Sequence, residues 1–311
     1  MTFKKIVYLL TIPLSISILV AACTDLEEQS TTTSKPKIVA TTGIVADLVR
    51  NIGQDSVEVI ALMGPGVDPH LYKATQGDLA KLQAADIIFY NGLRLEGKMS
   101  EVFEKLERIK TVVPISRGID AADLLKDPSY EDAPDPHIWF DVKLWSETID
   151  LVTQTLSDQR PANASYYQAN ATTYRKQLQE LDQQVRQAIQ EIPEAQRILI
   201  TAHDAFSYFG AAYSIEVRGL QGISTLSEFG LRDRVELVNF IVEKGIKAVF
   251  VETSVSEKNI SSIVEGCRQK GHDVRIGGNL YSDAMGAAGT PEGTYIGMVN
   301  ANVATILNGL K

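Results

Sequence analysis

From Lys37 onward, short apolar runs rich in β-branched residues alternate with stretches whose apolar positions recur every three or four residues. KIVATT (37–42), VEVIALM (57–63), ADIIFYNG (85–92) and TVVPIS (111–116) read as buried strands. Between them, residues 43–52 place Val45, Leu48, Val49 and Ile52 on one helical face, and residues 76–84 form a second helix opened by a Thr75-x-x-Asp78 capping box. Such alternation builds βα units around mainly parallel sheets. It resumes later with RILITA (197–202), IEVRGL (215–220), KAVFVE (247–252) and DVRIGG (273–278).

The alternation pauses between Pro161 and Pro193. That stretch has no glycine and no internal proline, and it predicts one helix of about 30 residues, near 45 Å long. It is too polar for the interior of one lobe, and its apolar positions do not read as heptads, so a spine between two lobes fits better than a coiled coil. The expected fold is therefore α/β: an N-terminal βα lobe at 37–165, a linking helix at 161–193 and a C-terminal βα lobe at 194–311.

The N-terminus changes the picture of where the chain works. MTFKK, an apolar run from Ile6 to Val20 and then Ala21-Ala22-Cys23 have the layout of a signal peptide over residues 1–22. The apolar run is shorter than the roughly 20 residues a spanning helix needs. Val20-Ala21-Ala22-Cys23 resembles a bacterial lipobox, with Cys23 as the lipid attachment point, and the polar segment 23–36 reads as a flexible tether. The expected location is the extracytoplasmic face of the cell membrane, held by the lipid. With Cys23 lipidated, Cys267 has no disulfide partner and is expected to be an inert packing residue.

Cleavage would remove Lys4 and Lys5, leaving 28 basic residues from 30 against 39 acidic ones, a net charge of −11. A nucleic-acid partner is excluded by that balance.

The chain has four histidines, and two of them share the tripeptide DPH, at His70 and His137. Ligands of open α/β sheets collect at the carboxyl ends of strands. His70 follows the strand at 57–63 through a Gly-Pro-Gly turn, and His203 follows 197–202 and is expected to open a helix. Asp283 follows 273–278, and His137 lies in a proline-rich loop before the IWF run. Three imidazoles and a carboxylate, two per lobe, suffice to bind a transition metal in the cleft between lobes. The prolines would restrict both DPH loops before an ion arrives. His272, in KGHDV, has no such setting and is set aside. Glu252, ending KAVFVE, is a candidate acceptor for the second ring nitrogen of a ligand histidine.

The passages MGPGVDPHLYKATQGD, DPHIWFD, TAHDAFSYFG, GLQGISTLSE, VFVETSVSEKNI and GGNLYSDAMG resemble the metal-binding lipoproteins of bacterial manganese and zinc ABC importers, most of all the manganese-binding MntA/TroA-like type. The resemblance runs from Lys37 to Lys311. It implies two βα lobes joined by one long helix, the ligand set His70, His137, His203 and Asp283, and one ion per chain. It implies, as partners, a membrane permease and through it an ATPase, served by a monomeric receptor. Mn²⁺ is the expected cargo, with Zn²⁺ as the alternative. Several streptococcal manganese receptors carry glutamate where this chain has His203, which moves the site toward softer metals. Dedicated zinc receptors often carry a long His-rich and acidic loop after the first ligand, and here residues 75–107 contain no histidine.

No HExxH helix, GxSxG elbow or phosphate-cradling glycine loop is present, so the enzyme class, a metallohydrolase above all, lacks its machinery. A surface adhesin is compatible with the tether but has no motif of its own. Because the long helix is stiff, closure on the ion is expected to come from ligand loops and the second lobe, not from a wide hinge swing.

Overall fold

The computed structural model describes Thr2 and residues 34–127, 133–227 and 229–311. Apart from Thr2, the expected signal peptide lies outside the described residues, as do Cys23 and the tether as far as residue 33.

The first lobe is a four-stranded parallel sheet in the order β2-β1-β3-β4, with β1 Lys37–Ala40, β2 Glu58–Ala61, β3 Ile87–Tyr90 and β4 Thr111–Pro114. Helices α1 (Gly43–Gly53), α2 (Gln76–Ala84) and α3 (Ser100–Leu106) connect the strands. The capping box opens α2 as read: the Thr75 hydroxyl accepts from the Asp78 N–H, and the Asp78 carboxylate accepts from the Thr75 N–H. In the second lobe β5 (Ile198–His203) pairs parallel with β6 (Glu216–Gln221), and β7 (Ala248–Glu252) with β8 (Arg275–Leu280).

Two long helices follow the first lobe, and the second of them leads into the second lobe. The first, α4 (Val142–Gln159), is not among the expected elements; Val142, Trp145, Ile149, Val152 and Leu156 are buried at helical spacing and Asp141 caps its N-terminus. The expected spine is α5, Ala164–Gln190. One expectation about it fails. The buried residues Tyr167, Ala171, Tyr174, Leu178, Leu181 and Val185 do keep the alternating four-and-three spacing of heptads, until Ile189, four residues on, leaves it. Tyrosine and alanine disguise the stripe, and it packs against α1, α4 and the C-terminal helix α9 (Tyr295–Leu310), all within this chain.

Period-two alternation sorts the strand residues into separate cores. Ile38, Ile87 and Phe89 join a large cluster that continues through Leu178 and Leu181 of α5 to Phe250 and Met298 of the second lobe. Their neighbours Val39 and Ile88 face a smaller cluster with Leu82 and Phe103, beneath α2 and α3. Ile200, Val249 and Val251 likewise face outward, onto Ile241 of α7 (Leu231–Lys244) and Ile263 of α8 (Lys258–Gln269). Each fully buried aliphatic side chain contributes roughly 1.5–3 kcal/mol. A wide opening of the lobes would expose the shared cluster, so the fold favours small motions. Among the described residues no helix is long and apolar enough to cross a membrane.

Candidate metal centre

The strand order reverses at β1 and β3, and the crevice beyond their carboxyl ends is where such a sheet binds ligands. A buried polar network fills its floor. Glu96 accepts from the Thr41 hydroxyl at 2.6 Å and from the Asn91 N–H at 2.8 Å, and burial pushes its pKa up. Asn91 donates in turn to the Pro136 carbonyl at 2.9 Å, which supports the loop carrying His137.

Both DPH tripeptides make the same turn. Asp68 Oδ1 accepts the His70 N–H at 2.8 Å, and Asp135 Oδ1 accepts the His137 N–H at 2.9 Å. Ahead of the first turn Gly66 takes φ 70°, a left-handed conformation that glycine alone adopts cheaply, and a β-carbon there would lie 3.4 Å from the Thr253 carbonyl oxygen of the second lobe. His203 is the last residue of β5 and does not open a helix; the next helix, α6, starts at Ser207 (Ser207–Tyr213). Asp283 lies three residues beyond β8, on a segment pinned by Asn302 of α9, which bonds both the N–H and the carbonyl of Tyr281. The Trp139 indole N–H donates to the Ser282 carbonyl at 3.0 Å and so joins the His137 and Asp283 loops across the cleft.

His70, His137, His203 and Asp283 converge, all buried, with one ligand atom from each lying within 4.8 Å of the others. The Nε2 atoms of His70 and His137 are 3.3 Å apart. Asp283 Oδ1 is 3.4 Å from His137 Nε2, and its Oδ2 is 3.4 Å from His203 Nε2 and 3.9 Å from His70 Nε2. These spacings are long for hydrogen bonds. Two donors each about 2.0–2.1 Å from a tetrahedral ion lie roughly 3.3 Å apart, so the separations suit four atoms around one cation. Both Asp283 oxygens and His203 Nε2 are buried without a hydrogen-bond partner, which an ion would supply.

Behind two of the rings stand carboxylates. His137 Nδ1 donates to Asp135 Oδ1 at 2.7 Å, and His203 Nδ1 donates to Glu252 Oε2 at 2.5 Å, while Glu252 Oε1 also accepts the His203 N–H at 2.8 Å. These bonds fix the tautomer that turns the Nε2 lone pairs toward the centre. Glu252 thus stands where the sequence suggested. Asp135 was not singled out, although its place in DPH was visible.

Burial opposes charge on all four groups. For His70 it prevails, helped by the neighbouring imidazoles, and the pKa is pushed down to about 3. For His137, burial is outweighed by Asp135 and Asp283, and the pKa is pushed up to about 9. Burial is likewise outweighed at His203, whose pKa is pushed well up by Glu252 and Asp283, and at Asp283, whose pKa is held well down by His203 and His137. His272 stays apart, its Nε2 2.6 Å from the Ile246 carbonyl, and Cys267 is a buried free thiol.

Comparison with known proteins agrees with this geometry. A family profile described as "ZnuA: Zinc-uptake complex component A periplasmic" matches residues 38–309. The chain is 51% identical over 276 residues to the manganese-binding lipoprotein MntA of Bacillus subtilis, covering 88% of this chain and 90% of that one. It is 29% identical to the metal ABC transporter substrate-binding lipoprotein SsaB of Streptococcus sanguinis, covering 99% of each. The solved structure of the periplasmic zinc-binding protein TroA from Treponema pallidum superposes with a TM-score of 0.87 at 48% identity, covering 89% of this chain and 99% of that one. Two lobes around a long helix, with a three-histidine, one-aspartate cluster in the cleft, are accordingly not those of an enzyme: the chain belongs to the ZnuA family, the metal-binding substrate-binding lipoproteins of ABC transporters.

Proposed function

We propose that this chain is a manganese receptor. It captures one Mn²⁺ per chain with His70, His137, His203 and Asp283, as a monomer, and presents the ion to a membrane permease for import driven by the partner ATPase. The observation that carries the reading is the convergence of three ring nitrogens and an unpartnered buried carboxylate within 4.8 Å. Asp135 and Glu252 hold two of the rings in ligating orientation. Manganese over zinc is supported by the 51% identity to a relative named for manganese.

Zinc is the second reading. The His203 nitrogen favours it, as does the 48% identity to a relative named for zinc. Metal analysis of the protein purified from its own host decides between them: manganese near one equivalent is expected, and zinc near one equivalent with only traces of manganese would overturn the assignment.

Cys23 is the proposed lipid attachment point, holding the receptor on the extracytoplasmic face. Each buried methylene contributes about 0.8 kcal/mol, so two acyl chains suffice for stable anchorage. Cys23→Ala should release the protein from membranes, and retention at the parent level would refute the anchor.

A further inference from the structure

The mouth of the metal centre is asymmetric. A cleft of about 330 Å³ opens beside the four side chains, and His70 is the member that lines it, with Pro136 on one side and Ile223, Ser224 and Leu226 on the other. His137, His203 and Asp283 lie behind it, at most 1% exposed. An ion therefore passes His70 on its way in or out.

His70 is also the histidine held differently. Among the described residues no carboxylate takes its Nδ1, as Asp135 and Glu252 do for the other two rings. It is fixed through its backbone, which donates to Asp68 Oδ1. The two DPH turns then diverge. Asp135 turns its Oδ1 onto the ring of its own histidine, whereas Asp68 Oδ2 reaches the other lobe and accepts the Thr225 hydroxyl at 2.6 Å. Thr225 sits between Ser224 and Leu226, both in the wall of the cleft. A chain of two hydrogen bonds, from the His70 backbone through Asp68 to Thr225, thus bridges the mouth.

We propose that the Asp68–Thr225 hydrogen bond is a release latch, which keeps the His70 loop closed over a bound ion. The proposal rests on the metal-receptor reading. A hydroxyl on a carboxylate is a strong, charge-assisted bond, yet it is a single bond between two loops. Parting those loops clears the path without separating the lobes, whose shared core stays buried. Breaking the latch leaves every proposed ligand in place, so the ion should leave faster while one ion per chain still binds.

Thr225→Val removes the hydroxyl at nearly constant shape, and Thr225→Ser restores it. Protein loaded with Mn²⁺ is mixed with excess chromogenic chelator, and the release rate is read by stopped flow. Release from Thr225→Val should be faster by on the order of tenfold, with Thr225→Ser close to the parent. A merely structural threonine would lower the metal-free melting temperature of Thr225→Val and leave the release rate unchanged. Asp68→Ala should also speed release, and adding Thr225→Val to it should accelerate release no further. Equal release from parent and Thr225→Val, or additive effects in the double variant, would overturn the latch alone. A parent that holds no stoichiometric ion would overturn the metal-centre reading beneath it.

Discussion

Asp47 offers a test of the inter-lobe packing that is independent of the metal. It lies on α1 at 7% exposure, and its Oδ2 accepts the backbone N–H of Tyr295, the first residue of α9, at 3.1 Å, and the Asn51 amide at 3.0 Å. Burial raises its pKa from 3.8 to about 6, against the opposing pull of the Tyr295 N–H, Arg50 and Asn51. Well below pH 4 the carboxyl is protonated in folded and unfolded chains alike and its charge has no cost. As pH rises the unfolded chain ionises first, and stability is lost until the folded chain ionises too, near pH 6. With those two pKa values the loss is about 1 kcal/mol at pH 4.5 and about 3 kcal/mol at pH 7. Asp47→Asn keeps an acceptor for Tyr295 and removes the titration. In urea unfolding of ion-free protein under EDTA, followed by the fluorescence of Trp145, which stacks on Tyr295, the variant should gain about 2 kcal/mol on the parent between pH 4.5 and 7. All other groups titrate alike in both proteins and cancel. Stability curves that run parallel, or a variant that loses ground as pH rises, would refute the assignment of Asp47 as a carboxylate strained by burial.

Three further outcomes test the centre itself. Glu252→Gln puts an amide donor where the His203 N–H now donates, and metal affinity by competition titration should fall about 10–100-fold; unchanged affinity would remove Glu252 from the site. Metal binding must displace the proton that His137 holds up to about pH 9, so affinity should fall at least tenfold per pH unit as pH drops from about 9 to 6; a flat profile to pH 6.5, the ordinary imidazole value, would contradict the electrostatics. In vitro Zn²⁺ should bind more tightly than Mn²⁺, since three imidazoles favour it, and His203→Glu should narrow the ratio; manganese outcompeting zinc in the parent would contradict the ligand-softness argument.

The parts of this molecule legible in the sequence are those decided by neighbours along the chain. The strands, the capping box of α2 and the positions of His70, His203 and Asp283 at or after strand ends follow from local patterns of that kind, whereas His137 sits in a loop far from any strand. α4 is of the same kind, its buried stripe Val142, Trp145, Ile149, Val152 and Leu156 written at helical spacing. The heptad spacing of α5 was hidden for a physical reason. Tyr167, Tyr174 and Ala171 are buried, but tyrosine and alanine are common on surfaces, so composition misread a stripe that geometry reveals. The two DPH turns mark where local reading ends. Identical tripeptides fold identically, each aspartate accepting the N–H of the histidine two residues on. A carboxylate has capacity beyond that one bond, and nothing along the chain says which group will take it. At Asp135 the partner is its own histidine ring, in a pocket with no exposure. At Asp68 it is Thr225, 157 residues away, at the rim of the cleft. One motif can thus hold a ligand rigid in one place and close a mouth in another, because the second partner is chosen by the packing of the lobes.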